Sequence, residues 1–229
     1  MPAVRTGTPS QVDASGGNGS TSVTVPADAT AVVAFWAHWD GNAGSTLSGL
    51  TLNGVSFAIQ SQLAEGHVSD HSGCGVATLV NPATGSQTFA WTWSAGGARS
   101  EGGWIVLVYI KGCDTSNLVR SSGVDADTAG TDVSVTITTQ STDLVLAAAQ
   151  RYNTGGANPI LDGTVFIDNA SLNSHLYDVS TVTAGASSTT VAMTGEYYSS
   201  ISAIAIREGT ASASSLIWMP RHMQHMLVR

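Results

Sequence analysis

The chain has 229 residues, with 8 Lys and Arg against 16 Asp and Glu, a formal net charge of -8, and charged residues make up only 10% of it. This length suits one large β domain or two small ones with a sizeable core. The acidic balance argues against a nucleic-acid partner, because phosphate binding needs clustered positive charge. The abundance of Ser, Thr, Gly and Ala favours close-packed strands and a hydroxyl-rich surface, as is common in proteins that build assemblies.

The N-terminal residues 1–20 are rich in Gly, Ser and Asn and have no hydrophobic periodicity, which predicts an N-terminal arm. They contain no charged segment followed by an apolar run, and no long apolar span follows elsewhere. We therefore expect no signal peptide, no membrane insertion and synthesis in a cytosol. In that compartment Cys74 and Cys113 are expected to be free, buried thiols, with a single bridge between them as the alternative.

Strand signals begin at SVTVP, residues 22–26, where valines alternate with hydroxyl residues and Pro26 ends the run. Residues 29–40 and 102–114 carry apolar side chains on both faces, and the second run ends at Gly112. A short run of this kind, dominated by β-branched residues, predicts a buried strand. We expect these two strands to be neighbours at the centre of a sheet that is covered on both sides.

Turn residues predict two hairpins in the next segment. In residues 50–59, Asn53-Gly54 stands between two alternating runs, which is a strong type I′ hairpin signal. Residues 76–80, a turn at 81–85 and a return strand at 86–94 predict the second hairpin. One face of that return strand is expected to be core because it carries only bulky side chains, namely Phe89, Trp91 and Trp93.

The second half of the chain repeats the first. An alternating run at 132–139 precedes an apolar run at 142–152, and a further pair of runs covers 189–195 and 199–209. The pattern predicts an all-β, antiparallel β-sandwich of the jelly-roll kind over residues 21–209, made of two similar halves, 21–114 and 131–209. Two half-sized sandwiches, divided near residues 123–130, are the alternative.

The last segment, residues 210–229, has a different character. A short Ala/Ser linker leads into LIWMPRHMQHMLVR, whose central Pro220 makes an independent helix unfavourable. A free tail of this composition would expose much apolar surface, so we predict a C-terminal arm that docks on its own domain or on a neighbouring subunit. The arm residues expected to make the contacts are Leu216, Ile217, Trp218, Met219, Arg221, Leu227 and Arg229.

The segment GHVSDHSGC offers a set of metal-ligand side chains in His67, Asp70, His71 and Cys74. A histidine pair spaced i, i+4 binds zinc readily on a helix, but the glycines and the following strand indicate a loop. A polar loop at the end of the sandwich is therefore the favoured interpretation, and we predict no metal here.

The segment DADTAGTD carries Asp125, Asp127 and Asp132 around a glycine, as in a calcium-binding loop. Thr136 stands where an EF-hand would place its bidentate glutamate, and no flanking helices are predicted. A solvated acidic turn is favoured over a calcium site, so the sequence predicts no cofactor.

Catalytic signatures are weak. The chain contains no GxSxG motif, and Cys113, although it precedes Asp114, has no base that the sequence reveals. Nothing selects Glu65, Glu101 and Glu196 as a carboxylate pair for glycoside hydrolysis. We therefore expect a protein that is not an enzyme.

Aromatic residues allow a second function. Trp36, Trp39, Trp91, Trp93 and Trp104 could stack on sugar rings, but their strand positions favour the core. The residues expected to be exposed for glycan binding lie at a turn and are Tyr197 and Tyr198.

The order VTVPADAT, LNG, LVNPATGSQTF and YIKGCD resembles the small Ser/Thr/Gly-rich β-sandwich structural proteins of tailed bacteriophages, over roughly residues 20–208. That resemblance implies a non-enzymatic virion protein on the outside of the particle, as a capsid decoration or a tail or fibre component, assembled in the host cytoplasm. Its expected partners are other virion proteins and further copies of itself, with a trimer favoured. The alternatives are a module that recognises a host surface glycan and an accessory module of a secreted polysaccharide enzyme.

Overall fold

The computed structural model describes residues 1–15, 17–40, 46–64, 71–94, 103–127, 132–152, 163–172, 175–193 and 199–209. Every regular element in these ranges is a β-strand, and none of them contains a helix that could cross a membrane. In chain order the strands are β1 Val4–Arg5, β2 Ser10–Asp13, β3 Gly19–Val25, β4 Ala31–Asp40, β5 Leu47–Leu52, β6 Val55–Ser56, β7 Ala58–Ala64, β8 His71–Val80, β9 Gly85–Trp93, β10 Gly103–Lys111, β11 Val119–Asp127, β12 Val133–Thr138, β13 Leu144–Tyr152, β14 Thr164–Leu172, β15 His175–Val182, β16 Ser188–Met193 and β17 Ser199–Ile206.

The first inner sheet has the strand order β1-β10-β4-β8-β7, with β2 also paired to β10. All of β10 except Lys111 is buried, and so are residues 31–38 of β4. Because side chains alternate along a strand, a strand that is apolar at every position must be covered on both faces. β10 and β4 pair directly and lie at the centre of the sheet, so the predicted pair of central strands is confirmed.

The first outer sheet has the order β3-β9-β5-β6 and covers one face of the first inner sheet. The core between them includes Trp36 and Leu107 from the inner sheet and Phe89 from the outer sheet. At the turn between β5 and β6, Asn53 has φ 50° and Gly54 has φ 80°. These positive values are what a type I′ turn requires, and the predicted hairpin at Asn53-Gly54 is confirmed.

The second half builds the corresponding pair of sheets. The second inner sheet has the order β11-β17-β13-β15-β14, and the second outer sheet consists of β12 and β16. Buried and exposed residues alternate along β12, as expected for a strand with one face on a core. Its buried Val135 and Ile137 pack on the small side chains of β13 and β17, such as Ala147 and Ala203.

The two inner sheets face each other across a third core that includes Phe35, Val106, Leu146 and Ile204. The sheets therefore stack in four layers, with an inner sheet and its outer sheet contributed by each half of the chain. Strand order is the same in both inner sheets, since β2-β10-β4-β8-β7 corresponds to β11-β17-β13-β15-β14. The predicted all-β sandwich class is confirmed. The jelly-roll part of the prediction is not confirmed, because the described strands form four sheets instead of two.

The second predicted hairpin is wrong. β8 pairs with β4 and β7 in the first inner sheet, whereas β9 pairs with β3 and β5 in the first outer sheet. The segment between them, with Asn81 at φ 50° and Gly85 at φ 81°, carries the chain from one layer to the other. The β16–β17 connection also changes layer, so the runs predicted at 189–195 and 199–209 do not pair with each other in the described ladders.

The N-terminal segment differs from the predicted arm over residues 1–20. β1 and β2 pair with β10 and extend the first inner sheet, while β3 begins at Gly19. Val12 is buried, and Gln11 accepts a hydrogen bond from the hydroxyl of Tyr177 at 2.7 Å. β1 has two residues and β2 has four, and residues 6–9 between them are not in a strand. The alternation of apolar and polar side chains is therefore too short to be recognised in the sequence.

Candidate functional site

The two ends of the described chain meet on the body of the protein. The amino group of Met1 donates to the carbonyl oxygen of Gly209 at 2.6 Å, and the amide of Gly209 donates to the carbonyl of Gly112 at 2.7 Å. Glu208 forms a β-bridge with Cys113. Gly209, the last residue that the structure describes, is therefore held by hydrogen bonds through both its carbonyl and its amide group.

Two glycines make this junction sterically feasible. Gly112 has φ 72°, and a Cβ placed on it would lie 2.3 Å from the carbonyl oxygen of Pro2. A Cβ on Gly209 would lie 2.9 Å from the carbonyl oxygens of Gly112 and Cys113. Since contacts of this length with backbone are prohibitive, only glycine allows the first residues and the last strand to approach so closely.

A shallow, mainly apolar depression surrounds the junction, and we call it the terminal depression. It consists of a hollow of about 500 Å³ and an adjoining hollow of about 230 Å³, which share Met1, Thr30 and Gly112. The Met1 side chain is 73% exposed and Val4 is 39% exposed, so this part of the surface presents apolar groups to solvent. The terminal depression can bind an apolar segment by excluding water from these side chains.

One ion pair lies at the rim of the terminal depression. The Lys111 ammonium is 2.8 Å from a carboxylate oxygen of Asp28, whose other oxygen accepts a hydrogen bond from the Thr6 hydroxyl at 2.6 Å. The hydrogen bonds from Lys111 and then Thr6 lower the pKa of Asp28. Both charged side chains are about half exposed, so the pair marks a polar edge and contributes little to stability.

The predicted contact residues of the C-terminal arm, from Leu216 to Arg229, lie outside the described residues, as do the predicted glycan-binding residues Tyr197 and Tyr198. Their roles remain predictions. The structure shows how Gly209, the residue just before the predicted arm, is held on the body. Only the glycine at position 112, which closes the β10 strand, gave a signal in the sequence.

Four of the five sandwich tryptophans are core residues, because Trp36, Trp91, Trp93 and Trp104 are all buried. The Trp104 indole donates to the side-chain oxygen of Gln150 at 2.6 Å and stacks on Tyr177 with ring centroids 4.4 Å apart. The core interpretation is confirmed for these four, and the side chain of Trp39 lies outside the described residues. They provide no exposed aromatic platform for a sugar.

Both cysteines are free and buried, as predicted. Burial raises the pKa of the Cys74 thiol to about 11, and its sulfur lies 3.5 Å from the carbonyl oxygen of Ile201. His67, Asp70 and the side chain of His71 lie outside the described residues. Within the part of the chain that the structure describes, no three metal-ligand side chains come together.

Asp125 connects the second inner sheet to the second outer sheet. One oxygen of its carboxylate accepts from the amide of Ala126 and the other from the amide of Ser134, each at 3.0 Å. Asp132 is exposed, and the side chain of Asp127 is not described. The arrangement gives Asp125 a structural role between β11 and β12, which the acidic pattern in the sequence did not indicate.

Comparisons with protein-family models, with curated proteins and with solved structures find no match for this chain.

Proposed function

We propose that this protein is a non-enzymatic structural component on the outside of a tailed-phage particle, and that it works by burying surface between subunits. The observation that carries the proposal is the fixed exit of the C-terminal segment at Gly209, next to the apolar terminal depression. A segment that binds a neighbouring subunit can fix the position of its own subunit only if the residue from which the segment starts is held on the domain. Hydrogen bonds to Met1 and Gly112 hold Gly209 in this way.

The composition of residues 210–229 supports an assembly arm. Leu216, Ile217, Trp218 and Met219 form its most apolar run, and Arg221 follows directly after Pro220. Trp, Met and Arg are enriched where protein surfaces meet, because they bury large areas and bind acidic groups. The net charge of -8 gives copies of this chain acidic groups for Arg221 and Arg229 to contact.

The surface supports the same role. Exposed positions on the outer sheets carry mostly hydroxyl side chains, as at Ser20, Ser22 and Thr24 on β3 and at Thr136 on β12. Such a surface can be buried between subunits without the cost of removing charges from water. A virion protein is assembled from many copies in the host cytoplasm, where interfaces of this kind form repeatedly.

The proposal is tested by deleting residues 214–229 and measuring incorporation into purified phage particles. We expect incorporation to be lost while the truncated protein stays folded, because β17 and the Gly209 junction are complete without the deleted residues. A narrower test compares Trp218→Ser in the arm with Val55→Ser, since Val55 is an apolar residue that is 58% exposed on β6. Only the arm substitution should reduce incorporation. Unchanged incorporation in the truncated protein would contradict the proposal.

A further inference from the structure

The two halves of the chain differ at one edge of the stack. Ile110 pairs with Ala31 and Ile206 pairs with Leu144, and these pairs stand at matching ends of the two inner sheets. Ile105 precedes Ile110 on β10 by as many residues as Ile201 precedes Ile206 on β17, so Ile105 corresponds to Ile201. Their edge partners therefore correspond as well, so that Val12 of β2 takes the place of Asp125 of β11.

In the second half this edge is closed. The carboxylate of Asp125 accepts a hydrogen bond from the backbone amide of Ser134 at 3.0 Å. This outward-pointing amide of β12 is therefore not available to an added strand. β11 also lies tightly against β12, because a Cβ on Gly123 would be only 2.3 Å from a methyl group of Val135. A carboxylate that occupies the edge is one of the devices by which natural sheets prevent further strands from pairing.

In the first half the same edge is open. Val12 offers no acceptor where Asp125 stands in the second half, and the edge strand is interrupted between β1 and β2. A groove of about 600 Å³ lies between residues 7–12 and residues 21–26. None of the described residues that line it is charged. The edge of β3 away from β9, which has no partner strand among the described residues and is called the free edge below, therefore borders this groove.

The direction of the backbone groups of β3 follows from its neighbour. Asn53 donates its amide to the carbonyl of Thr88 at 2.7 Å, so the backbone groups of Thr88 point toward β5. Ser22 is opposite Thr88 on β3 and must point its own amide and carbonyl away from β9, because both groups of one residue lie on the same side of an antiparallel strand. The same holds for Ser20 and Thr24, at alternate positions. All three side chains are exposed.

We propose that β3 pairs with β3 of a second copy of this chain, antiparallel and about a two-fold axis at Ser22. The outward amides and carbonyls of Ser20, Ser22 and Thr24 would then bond to those of Thr24, Ser22 and Ser20 in the second copy. The two first outer sheets become one continuous sheet.

The chemistry of the edge favours a second copy over other partners. β3 has no lysine, proline, bulge or inward-facing charge, and these are the features that normally prevent an edge strand from pairing with itself. Antiparallel self-pairing places only Ser and Thr opposite one another on the exposed face, which is a favourable combination. A sugar would find no aromatic platform in the groove, and a charged peptide would find no opposite charge.

The inference deepens the proposed function, since both concern association between copies, but the contact is separate from the C-terminal arm. The test uses the full chain and compares Ser22→Lys with Thr88→Lys by sedimentation over a range of concentrations. Both positions are exposed on the same face, but Thr88 lies on β9, away from the free edge. The Ser22 substitution places two ammonium groups at the two-fold axis. We expect it to weaken self-association about tenfold or more, whereas the Thr88 substitution leaves it unchanged.

A second variant, Ser22→Pro, removes the outward amide without removing a backbone hydrogen bond to β9, although the 3.0 Å hydrogen bond between the Ser22 and Ser86 hydroxyls is lost. It should weaken association by a similar factor. Circular dichroism of each variant checks that the sheets are intact. If the Ser22 variants associate as the wild type does, the inference is wrong, while the role of the arm still stands or falls with the deletion of residues 214–229. If a synthetic peptide of residues 214–229 binds the wild type and not Ser22→Lys, the edge belongs to the arm and self-pairing is overturned.

Discussion

At the scale of the residue, several glycines lie so close to a buried aromatic ring that a larger side chain would collide with it. Gly75 of β8 is opposite Trp36 of β4, and a Cβ on Gly75 would lie 2.1 Å from the Trp36 ring. Trp36 is only 1% exposed and is packed among the residues of the core between the first inner and outer sheets. Sequence alone predicted that Trp36 is in the core, but it could not predict which glycine lies against the ring, because that depends on strand pairing.

Gly75→Ala should therefore destabilise the protein by about 1–3 kcal/mol, since the extra methyl group overpacks the core between the first inner and first outer sheets. The control is Gly49→Ala on β5, where the nearest atom to an added Cβ is 3.9 Å away on Thr92. Chemical denaturation measures both free energies of unfolding. Equal effects of the two substitutions would show that contact with Trp36 does not restrict position 75.

Burial of the Cys74 thiol gives the fold a dependence on alkaline pH. Desolvation raises the pKa of this thiol from an ordinary value of 9.0 to about 11, although the nearby hydroxyl groups of Ser202 and Ser200 act to lower it. The folded state therefore favours the protonated thiol, and the stability linked to it is complete below the unfolded pKa and is lost as the pH rises through the folded pKa.

Between these two values we expect the free energy of unfolding to fall by about 2–3 kcal/mol more in the wild type than in Cys74→Ser, whose hydroxyl does not titrate. Urea denaturation at a series of alkaline pH values measures the difference. Parallel pH profiles for the two proteins would mean that Cys74 ionises as easily in the folded state as in the unfolded chain.

At the scale of the element, local pattern predicted strands well and their partners poorly. β4 and β10 were recognisable because an apolar side chain at almost every position requires cover on both faces. The Asn53-Gly54 turn was recognisable because few residue pairs accept two positive φ values. β8 and β9 were assigned to one hairpin, yet they belong to different layers, because alternation describes the faces of a strand and not the strand beside it.

The edge of β12 offers a test at this scale. Asp125→Ala removes the acceptor of both the Ala126 and the Ser134 amides, so we expect a loss of about 1–3 kcal/mol in the free energy of unfolding. Asp125→Asn keeps a side-chain oxygen and should lose less. The ranking is measured by thermal or chemical denaturation, and a fully stable Asp125→Ala protein would contradict the structural role of this carboxylate.

At the scale of the whole molecule, the two halves depend on each other. Trp104 from the first half stacks on Tyr177 and donates to Gln150 in the second. The guanidinium carbon of Arg5 lies 3.6 Å from the ring centre of Phe166, again across the two inner sheets. The core between the inner sheets is therefore built from both halves, and neither half alone could exclude water from its apolar side chains.

We expect calorimetry to show a single cooperative unfolding transition, because opening either half exposes the shared core of the other. Trp104→Ala should lower the stability by about 3–5 kcal/mol and still leave one transition. Two separate transitions in the wild type would instead indicate two independent sandwiches, the alternative that the sequence left open.

The proposed role in assembly is tested most directly by the mass in solution of the full chain and of the chain that lacks residues 214–229. We expect the full chain to form an assembly larger than a dimer. The truncated chain should form nothing larger than the two-fold dimer made through β3, because the arm contact is then missing while the edge is intact. The same number of subunits in both assemblies would contradict the account, since residues 214–229 would then contribute nothing to association.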